Sequence, residues 1–332
     1  METNIFGLYD SSEAEKMIDV HLQVSRTSSL KYIKNAGISM HEFLNKCRVL
    51  YYPIDLKLFE KYKPLENQIW QFRSEIGVDK NTPLICRVGR PDPAKMDDFL
   101  VRMMSHLIKR VPDVKFLVVG GIPEKVKKKI EKLKLQRSFI DIGLVASEEK
   151  LIQIYYSIDI LAHSSRIGES FGYTIAEAMA AGKPVVVNST PWADNAQIEL
   201  VDNGKTGFVA NTPRTYADAV AYLIENKKEA EKMGLAGREK AEREYDAKKL
   251  VKMLEKIYLE LLSKKGYTHV EKYLLKEYKN VQYFPTDYDI LNYPEEYKKR
   301  LGSSFGKLSL IEKIDFKLRR YARYRSLVSR IN

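Results

Sequence analysis

Cysteine is scarce in this chain of 332 residues, which contains only Cys47 and Cys86. Cys86 lies in a mostly apolar run from Leu84 to Val88. A small thiol in such a run is more often a buried apolar side chain than half of a disulfide. We therefore expect no structural disulfide, which is the usual condition of proteins in reducing compartments.

Long hydrophobic runs are also missing. No stretch has the roughly 20 consecutive apolar residues that a membrane-spanning helix needs, and the N-terminus lacks the charged and then apolar pattern of a signal peptide. We therefore expect a cytoplasmic protein. The sequence also contains no G-x-G-x-x-G and no Walker loop, which excludes simple dehydrogenases and kinases, and no compelling metal-ligand cluster.

Positive charge, in contrast, is in excess: the formal net charge is +12 at pH 7. Such an excess points to nucleic acid, anionic lipid or a phosphorylated substrate as partner. About half of it lies in residues 307–332, where only Glu312 and Asp315 oppose the cations. These cations are Lys307, Lys313, Lys317, Arg319, Arg320, Arg323, Arg325 and Arg330.

The same segment predicts an amphipathic helix. Its apolar residues fall near one helical face, with the cations largely around it: Ile311, Ile314, Leu318, Tyr321, Leu327, Val328 and Ile331. Basic amphipathic helices lie on anionic membrane surfaces, so one hypothesis is peripheral binding to the inner face of the membrane. A helix that packs on the body or on a partner subunit is an equal alternative. No RNP or KH motif is present, and we expect no nucleic-acid partner.

Apolar runs alternate with amphipathic segments between Leu84 and Ala210, a pattern that predicts an α/β fold with a doubly wound parallel sheet. The predicted strands are Leu84–Val88, Val114–Val119, Phe139–Ile142, Ile158–Ala162, Val185–Val187 and Gly207–Val209. The predicted helices between them are Met96–Arg110, Glu124–Leu135, Ser147–Tyr156 and Tyr173–Ala181.

The sequence after Pro213 has helical spacing. The helices expected to close the domain are Tyr216–Glu225, Lys227–Met233, a further segment to Tyr245, and Lys248–Leu262. Beyond Gly266 the composition becomes rich in tyrosine without a clear period. We expect a C-terminal extension that is irregular over Gly266–Ser304 and helical after it.

A first candidate site follows the strand Leu84–Val88. Gly89 and Pro91 end the strand, and Arg90 and Lys95 project from the loop after it. Ligands of α/β sheets bind at the carboxyl ends of strands, and a guanidinium with an ammonium group can neutralise a diphosphate. Taken alone, two solvated cations on a loop are the commoner explanation.

A second candidate site, Gly168 to Val186, holds Glu169 and Glu177 at a predicted strand-to-helix junction. Free N–H groups at residues 171–173 would point at an anion, and carboxylate oxygens are good acceptors for the hydroxyls of a sugar and a ribose. The alternative is an ordinary loop acid and a helix-starting acid favoured by the helix dipole. Spacing alone leaves the two interpretations nearly even.

The whole run resembles the Glu-x7-Glu signature of the family 4 retaining glycosyltransferases, in the setting E-S-F-G-x4-E-A-x-A-x-G-x-P-V-V. Four further segments are similar to the same family: Val88 to Lys95 (V-G-R-x4-K), Val118 to Gly120 (V-V-G), Gly143 to Glu149 (G-x-V-x-x-E-E) and Glu199 to Val209. The resemblance spans roughly residues 49 to 262. It implies the Rossmann-like, nucleotide-sugar-binding C-terminal half of a two-domain (GT-B) enzyme.

The resemblance also implies roles for the candidate residues. Catalytic roles fall to Arg90 and Lys95, which would hold the donor diphosphate, and to Glu169, which would meet the transferred sugar. The implied donor-binding residues are Gly89, Ser170, Phe171, Gly172, Tyr173 and Glu177, the last of these on the ribose. Transfer would retain the anomeric configuration, with cations stabilising the departing nucleoside diphosphate. The donor would be a nucleotide-sugar such as a UDP- or GDP-sugar, with no cofactor and no metal.

Three further features bear on the site. Asp287-Tyr288-Asp289 resembles the D-x-D metal motif of single-Rossmann transferases, but it lies in the predicted irregular extension, so we expect no metal there. His163 either lines the crevice or is a structural histidine. Trp192 and Asn195 replace the glycine-rich turn that is common at this position in the family.

Most of the acceptor-binding N-terminal half has no counterpart. Asp19–Ser25 and Arg48–Phe59 resemble only its end and the crossover. The expected domains are therefore a remnant of that half at 1–52, a nucleotide-sugar-binding domain at 53–265 and a tyrosine-rich, basic extension at 266–332. Either a separate polypeptide supplies the acceptor half, or the reading frame is a truncation, or this protein acts differently from its relatives.

Three functions remain open from the sequence. The favoured one is sugar transfer to a glycan or lipid-linked acceptor, with this chain supplying the donor site. A glycoside hydrolase or phosphorylase would instead use the two glutamates as acid and base, without need of the cations. A non-catalytic or partner-dependent subunit would bind a nucleotide-sugar without transferring it.

Overall fold

The computed structural model describes residues 17–319 and 321, and its centre is a six-stranded parallel sheet. The strands are β1 (His21–Gln23), β2 (Cys47–Val49), β3 (Leu84–Val88), β4 (Lys115–Val119), β5 (Phe139–Asp141), β6 (Ile160–His163), β7 (Val185–Val187) and β8 (Gly207–Val209). The large sheet has the order β5-β4-β3-β6-β7-β8. This is a doubly wound order with its topological switch between β3 and β6, which confirms the predicted fold class and all six predicted strands.

Helices cover both faces of this sheet. They are α1 (Arg26–Ala36), α2 (Met40–Lys46), α3 (Leu56–Lys61), α4 (Glu66–Glu75), α5 (Phe99–Leu107), α6 (Glu124–Lys132), α7 (Glu148–Ser157), α8 (Tyr173–Ala180), α9 (Gln197–Leu200), α10 (Pro213–Glu225), α11 (Lys227–Glu244), α12 (Ala247–Lys264), α13 (Glu271–Lys276), α14 (Asp287–Gly302) and α15 (Leu310–Leu318). None of the helices within residues 17–319 combines the length and apolar composition needed to cross a bilayer.

Two apolar layers pack against the sheet, one on each face. Leu84 and Cys86 of β3 point into one layer and Ile85 into the other, as the two-residue period of a strand requires. Cys86 is fully buried and, like Cys47, is a free thiol, which agrees with the expectation of no disulfide. The strands are apolar on both faces because helices exclude water from both.

The extension after Gly266 is more regular than the sequence indicated. Residues 266–304 contain α13 and the 16-residue helix α14, so the prediction of an irregular segment is wrong. Thr286 begins α14 with a capping box, in which its hydroxyl accepts from the N–H of Asp289 and its own N–H donates to the Asp289 carboxylate. Pro294 inside the helix is offset by the burial of Ile290 and Tyr293 against the body.

The last described helix, α15, also packs on the body. Glu312 accepts hydrogen bonds from Arg214 at 2.7 Å and from Thr212 at 2.8 Å. Leu310 and Ile311 remain exposed. This supports the packing alternative for residues 310–318, whereas Leu327, Val328 and Ile331 lie outside the described residues.

The N-terminal segment forms its own small sheet, in which β1 and β2 pair in parallel with His21 opposite Cys47. It is held to the body by Glu199, a carboxylate only 1% exposed. One oxygen accepts from the backbone N–H and the Nε of Arg26, both at 3.1 Å, and from the Tyr51 hydroxyl at 2.7 Å. The other accepts from Thr27 at 2.9 Å and from the Tyr293 hydroxyl of α14 at 3.2 Å.

These contacts decide the charge state of Glu199. Burial alone would raise the pKa of its carboxyl, but the charge of Arg26 and the hydrogen bonds from Tyr51 and Thr27 bring the pKa below its ordinary value. The carboxylate therefore joins the N-terminal segment, the domain body and the C-terminal extension as an anion.

Removing this charge should destabilise the fold strongly. We expect Glu199→Gln to lower the free energy of unfolding by about 3 kcal/mol, because it leaves the buried Arg26 with only the partly exposed Glu296 as counter-ion. Urea unfolding at pH 7 measures the loss. Glu296→Gln is the matched control, since Glu296 also pairs with Arg26, at 2.9 Å, but is partly exposed and should cost less than about 1 kcal/mol. Equal losses in the two variants would contradict the assignment.

Candidate functional site

The two predicted sites meet at the topological switch of the sheet. β3 and β6 are neighbouring parallel strands, so the loops after Val88 and after His163 leave the same edge. Across this gap the Lys95 ammonium donates to the Glu169 carboxylate at 2.8 Å and to the Gly168 carbonyl at 3.2 Å. Residues 74 positions apart in the sequence thus form an ion pair at the carboxyl ends of the strands.

His163, the last residue of β6, completes this cluster. Its Nε2 lies 3.2 Å from the second carboxylate oxygen of Glu169, and its Nδ1 lies 3.4 Å from the Thr174 hydroxyl. The imidazole is buried. The structure therefore places His163 in the crevice beside Glu169, and each oxygen of this carboxylate lies within 3.2 Å of a side-chain nitrogen.

Glu169 is held as a carboxylate by these neighbours. Burial alone would raise its pKa, but His163 and Lys95 lower it to about 2. Glu169 is therefore ionised throughout the physiological range and can only accept hydrogen bonds there.

The backbone of Glu169 is supported from α9, which sequence reasoning missed. The side-chain carbonyl of Gln197 accepts from the Glu169 N–H at 3.1 Å, and its amide donates to the Thr190 hydroxyl at 2.7 Å. The Asn195 side chain accepts from the Thr190 N–H at 2.7 Å and is buried. The stretch around Trp192 and Asn195, which replaces the glycine-rich turn of the family, thus supports the backbone of the Glu169 loop through these hydrogen bonds.

The beginning of α8 presents backbone groups to the same edge of the sheet. Gly172 caps the helix at φ 115°, a conformation that favours glycine, and no side chain of the described residues forms a cap hydrogen bond at the beginning of α8. The Phe171 side chain is a core residue packed against Tyr51 and Tyr245, so only its backbone can face a ligand. Ser170 and Tyr173 are exposed.

Glu177 lies further along α8 and is mostly buried. It accepts a hydrogen bond of 2.7 Å from the Tyr155 hydroxyl of α7. Burial raises the pKa of Glu177, and this hydrogen bond offsets only part of the rise. It is therefore not the solvated, helix-starting acid of the alternative interpretation.

The remaining predicted residues lie on the loop after β3. Arg90 is exposed and makes no ion pair with the residues that the structure describes. Beneath it, the buried Arg87 donates to the Gly89 carbonyl at 3.1 Å, and burial lowers its pKa. The Asp287–Asp289 motif lies elsewhere, in the first turn of α14, where Asp289 serves as a cap.

The pH dependence of stability should report the Glu169 ion pair. Because its folded pKa of about 2 lies below the ordinary value of 4.5, its contribution is fully present above that value and is lost as the pH falls toward 2. We expect Glu169→Gln to cost about 2 to 3 kcal/mol at pH 6 and clearly less at pH 3, measured by urea unfolding. Glu239→Gln on α11, an exposed glutamate that forms no ion pair with another described residue, is the control. A cost independent of pH would contradict the ion pair.

The conformation of the Glu169 loop should depend on Gly168. Its φ is 68°, and a Cβ there would lie 1.5 Å from the Asp194 carbonyl oxygen. Gly143 has a φ of 66°, but a Cβ added to Gly143 would have no atom beyond its chain neighbours within 4 Å. We expect Gly143→Ala to cost about 1 kcal/mol, from backbone strain alone, and Gly168→Ala to cost at least twice as much in thermal or urea unfolding. Similar costs would show that the loop moves freely.

Comparisons with known proteins agree with this arrangement. The family model for glycosyl transferases group 1 matches residues 68–240, just over half of the chain. The trehalose synthase of Thermococcus litoralis is 29% identical over 246 residues, which are 70% of this chain and 57% of that protein. The D-inositol 3-phosphate glycosyltransferase of Nocardia farcinica is 31% identical over 181 residues, 49% of this chain and 37% of that protein.

Solved structures show the same fold. Anabaena Alr3699/HepE in complex with UDP is 25% identical, with a TM-score of 0.62 over 74% of this chain and 64% of that one. A glycosyltransferase from Rickettsia africae, 24% identical, has a TM-score of 0.67 over 79% of this chain and 68% of that one. The chain spans about half the length of the curated relatives it matches. From the family match and the architecture, this chain belongs to the group 1 glycosyltransferases.

Proposed function

We propose that this chain binds a nucleotide-diphosphate sugar at the carboxyl ends of β3 and β6 and supplies the donor site for transfer of the sugar with retained anomeric configuration. The observation that carries the proposal is the Lys95–Glu169 ion pair at the topological switch, bordered by the beginning of α8. In open α/β sheets this is the position at which ligands bind.

Each part of the donor has a matching group. Lys95 has three N–H donors, of which two are directed at Glu169 and the Gly168 carbonyl, so the third is available for a phosphate oxygen. Arg90 on the same loop and the N–H groups at the beginning of α8 add positive potential. Stabilising the charge of the departing diphosphate is the principal catalytic contribution of these groups.

The two glutamates accept hydrogen bonds from hydroxyl groups of the donor. Glu169, ionised and paired with Lys95, accepts from the transferred sugar, and Glu177 accepts from the ribose. A carboxylate with a pKa of about 2 cannot act as the general acid of a glycosidase at neutral pH. The family membership and the cations both favour the transferase over the hydrolase.

On the acceptor side, we infer a glycan or a lipid-linked acceptor that is bound next to the donor site. The chain spans about half the length of the curated relatives it matches. A second candidate function is that of a partner-dependent subunit, which binds the nucleotide-sugar without transferring the sugar on its own.

Nucleotide binding tests the donor site directly. In calorimetric titrations with UDP, GDP and ADP in the absence of metal, we expect one nucleotide to bind in the micromolar range, with UDP the first choice because of the complex of Alr3699/HepE. Lys95→Ala and Glu177→Ala should each weaken binding roughly tenfold, as expected for the loss of a charge-assisted hydrogen bond.

The matched control is Lys109→Ala, which removes an exposed lysine next to α5 and should leave the affinity unchanged. If no nucleotide binds the wild-type chain, or if Lys109→Ala weakens binding as much as Lys95→Ala, the donor-site assignment is wrong. Binding without any transfer to added acceptors would favour the partner-dependent subunit.

A further inference from the structure

A second cationic site lies beside the proposed donor site. It is a cleft of about 850 Å³, here called the basic cleft, between α6, the beginning of α5, the loops after β6 and β7, and the end of α15. Four of its cations lie on α6: Lys125, Lys128, Lys129 and Lys132. Arg102, Arg166 and Arg319 contribute three more from other elements.

The acidic residues of the basic cleft do not neutralise these cations. Only Asp97 and Asp98 line it. Asp98 lies 3.4 Å from Arg102 and 3.6 Å from Lys129, whereas burial raises the pKa of Asp97. The described residues offer no ion-pair partner to Lys128, Lys132 and Arg166, which are exposed. The cleft therefore has a strong positive potential with several uncommitted donors.

The rest of the lining is apolar. Ile167 and Trp192 line the cleft from the loops opposite α6, and the mostly buried Val126 lines it between the lysines of α6. The Trp192 ring is fixed edge-on against Phe316 of α15, at 5.8 Å between centroids. A surface with cations on one wall and apolar side chains on the other matches an amphiphile with an anionic head.

The C-terminal segment of the chain does not complement the charge of the basic cleft. Residues 320–332 contain Arg320, Arg323, Arg325 and Arg330 and no carboxylate side chain. Placing them in the basic cleft would add like charge to like charge. Charge complementarity requires an anion from outside this segment.

The position of the cleft suggests what that anion does. Met96 directly follows Lys95, and Ile167 is separated from Glu169 only by Gly168, so the basic cleft adjoins the proposed donor site. Lys95 and Glu169 are themselves not in the cleft lining. We propose that the basic cleft binds the phosphate group of a lipid phosphate and places it next to the sugar to be transferred. The acceptor role of this lipid rests on the proposed function, whereas the binding does not.

Trp192 allows a direct test of binding. The chain has two tryptophans, so Trp70→Phe leaves Trp192 as the single reporter. In the Trp70→Phe background we expect a short-chain phosphatidic acid to change the fluorescence emission of Trp192 in a saturable manner. The lipid is kept below its critical micelle concentration, and nucleotide and metal are left out.

Lys128→Ala/Lys132→Ala should weaken binding of this lipid roughly tenfold or more, because each lysine near an anionic lipid head group adds to the binding free energy. The control Lys109→Ala/Lys127→Ala removes the same charge from exposed positions outside the cleft and should change the affinity less than about twofold.

Equal weakening by the two double variants would overturn the proposal, since it would show attraction to net charge alone. Equal affinity for inorganic phosphate or for a short-chain phosphatidylcholine would also overturn it, because the lipid or the anion would then be irrelevant. Competition by UDP would assign the cleft to the donor nucleotide instead. If UDP does not bind the chain but the lipid phosphate binds as expected, the proposed function is wrong and the lipid-phosphate site is still supported.

Discussion

The arrangement of this molecule depends on α9, a helix of four residues in which two buried polar side chains are directed to different parts of the chain. Gln197 donates and accepts in the loops after β6 and β7, and its carbonyl fixes the backbone of Glu169. Glu199, two residues later, binds Arg26, Thr27, Tyr51 and Tyr293. Buried polar groups must be satisfied, so each of these distant segments has one position that is much more stable than any other.

This connection gives the N-terminal segment and the C-terminal extension a role in the site, although neither contributes a candidate catalytic residue. A shift of α1 would leave Glu199 without its counter-ion, and a shift of α9 would release the N–H of Glu169. The loop that carries Glu169 also has little freedom of its own, because Gly168 packs directly on the Asp194 carbonyl. Preorganisation of this kind is what a site that stabilises developing charge requires.

The sequence predicted those features that depend on local pattern. The six strands follow from apolar runs, and the meeting of the Lys95 and Glu169 loops follows from the rule that parallel strands end at one edge. It could not predict the partners of Glu199 or the support from Gln197, because these contacts join residues 173 and 28 positions apart through side-chain geometry. The helix α14 was missed because Pro294 and the tyrosines suggest irregular structure. Its capping box at Thr286 and Asp289 was the available signal, and burial of Tyr293 decided the outcome.

The two sites proposed at this edge of the sheet differ in their balance of charge. At the proposed donor site, Lys95 is paired with Glu169, so the net potential there is moderate and the carboxylate remains available to hydroxyl groups. In the basic cleft, the lysines of α6 outnumber Asp97 and Asp98. The moderate potential of the proposed donor site suits a diphosphate that carries a sugar. The excess of cations and the apolar side chains of the basic cleft suit a lipid phosphate. Because Met96 and Ile167 of the cleft lie one and two residues from Lys95 and Glu169, the two proposed ligands would be held side by side, which would lower the entropic cost of bringing donor and acceptor together.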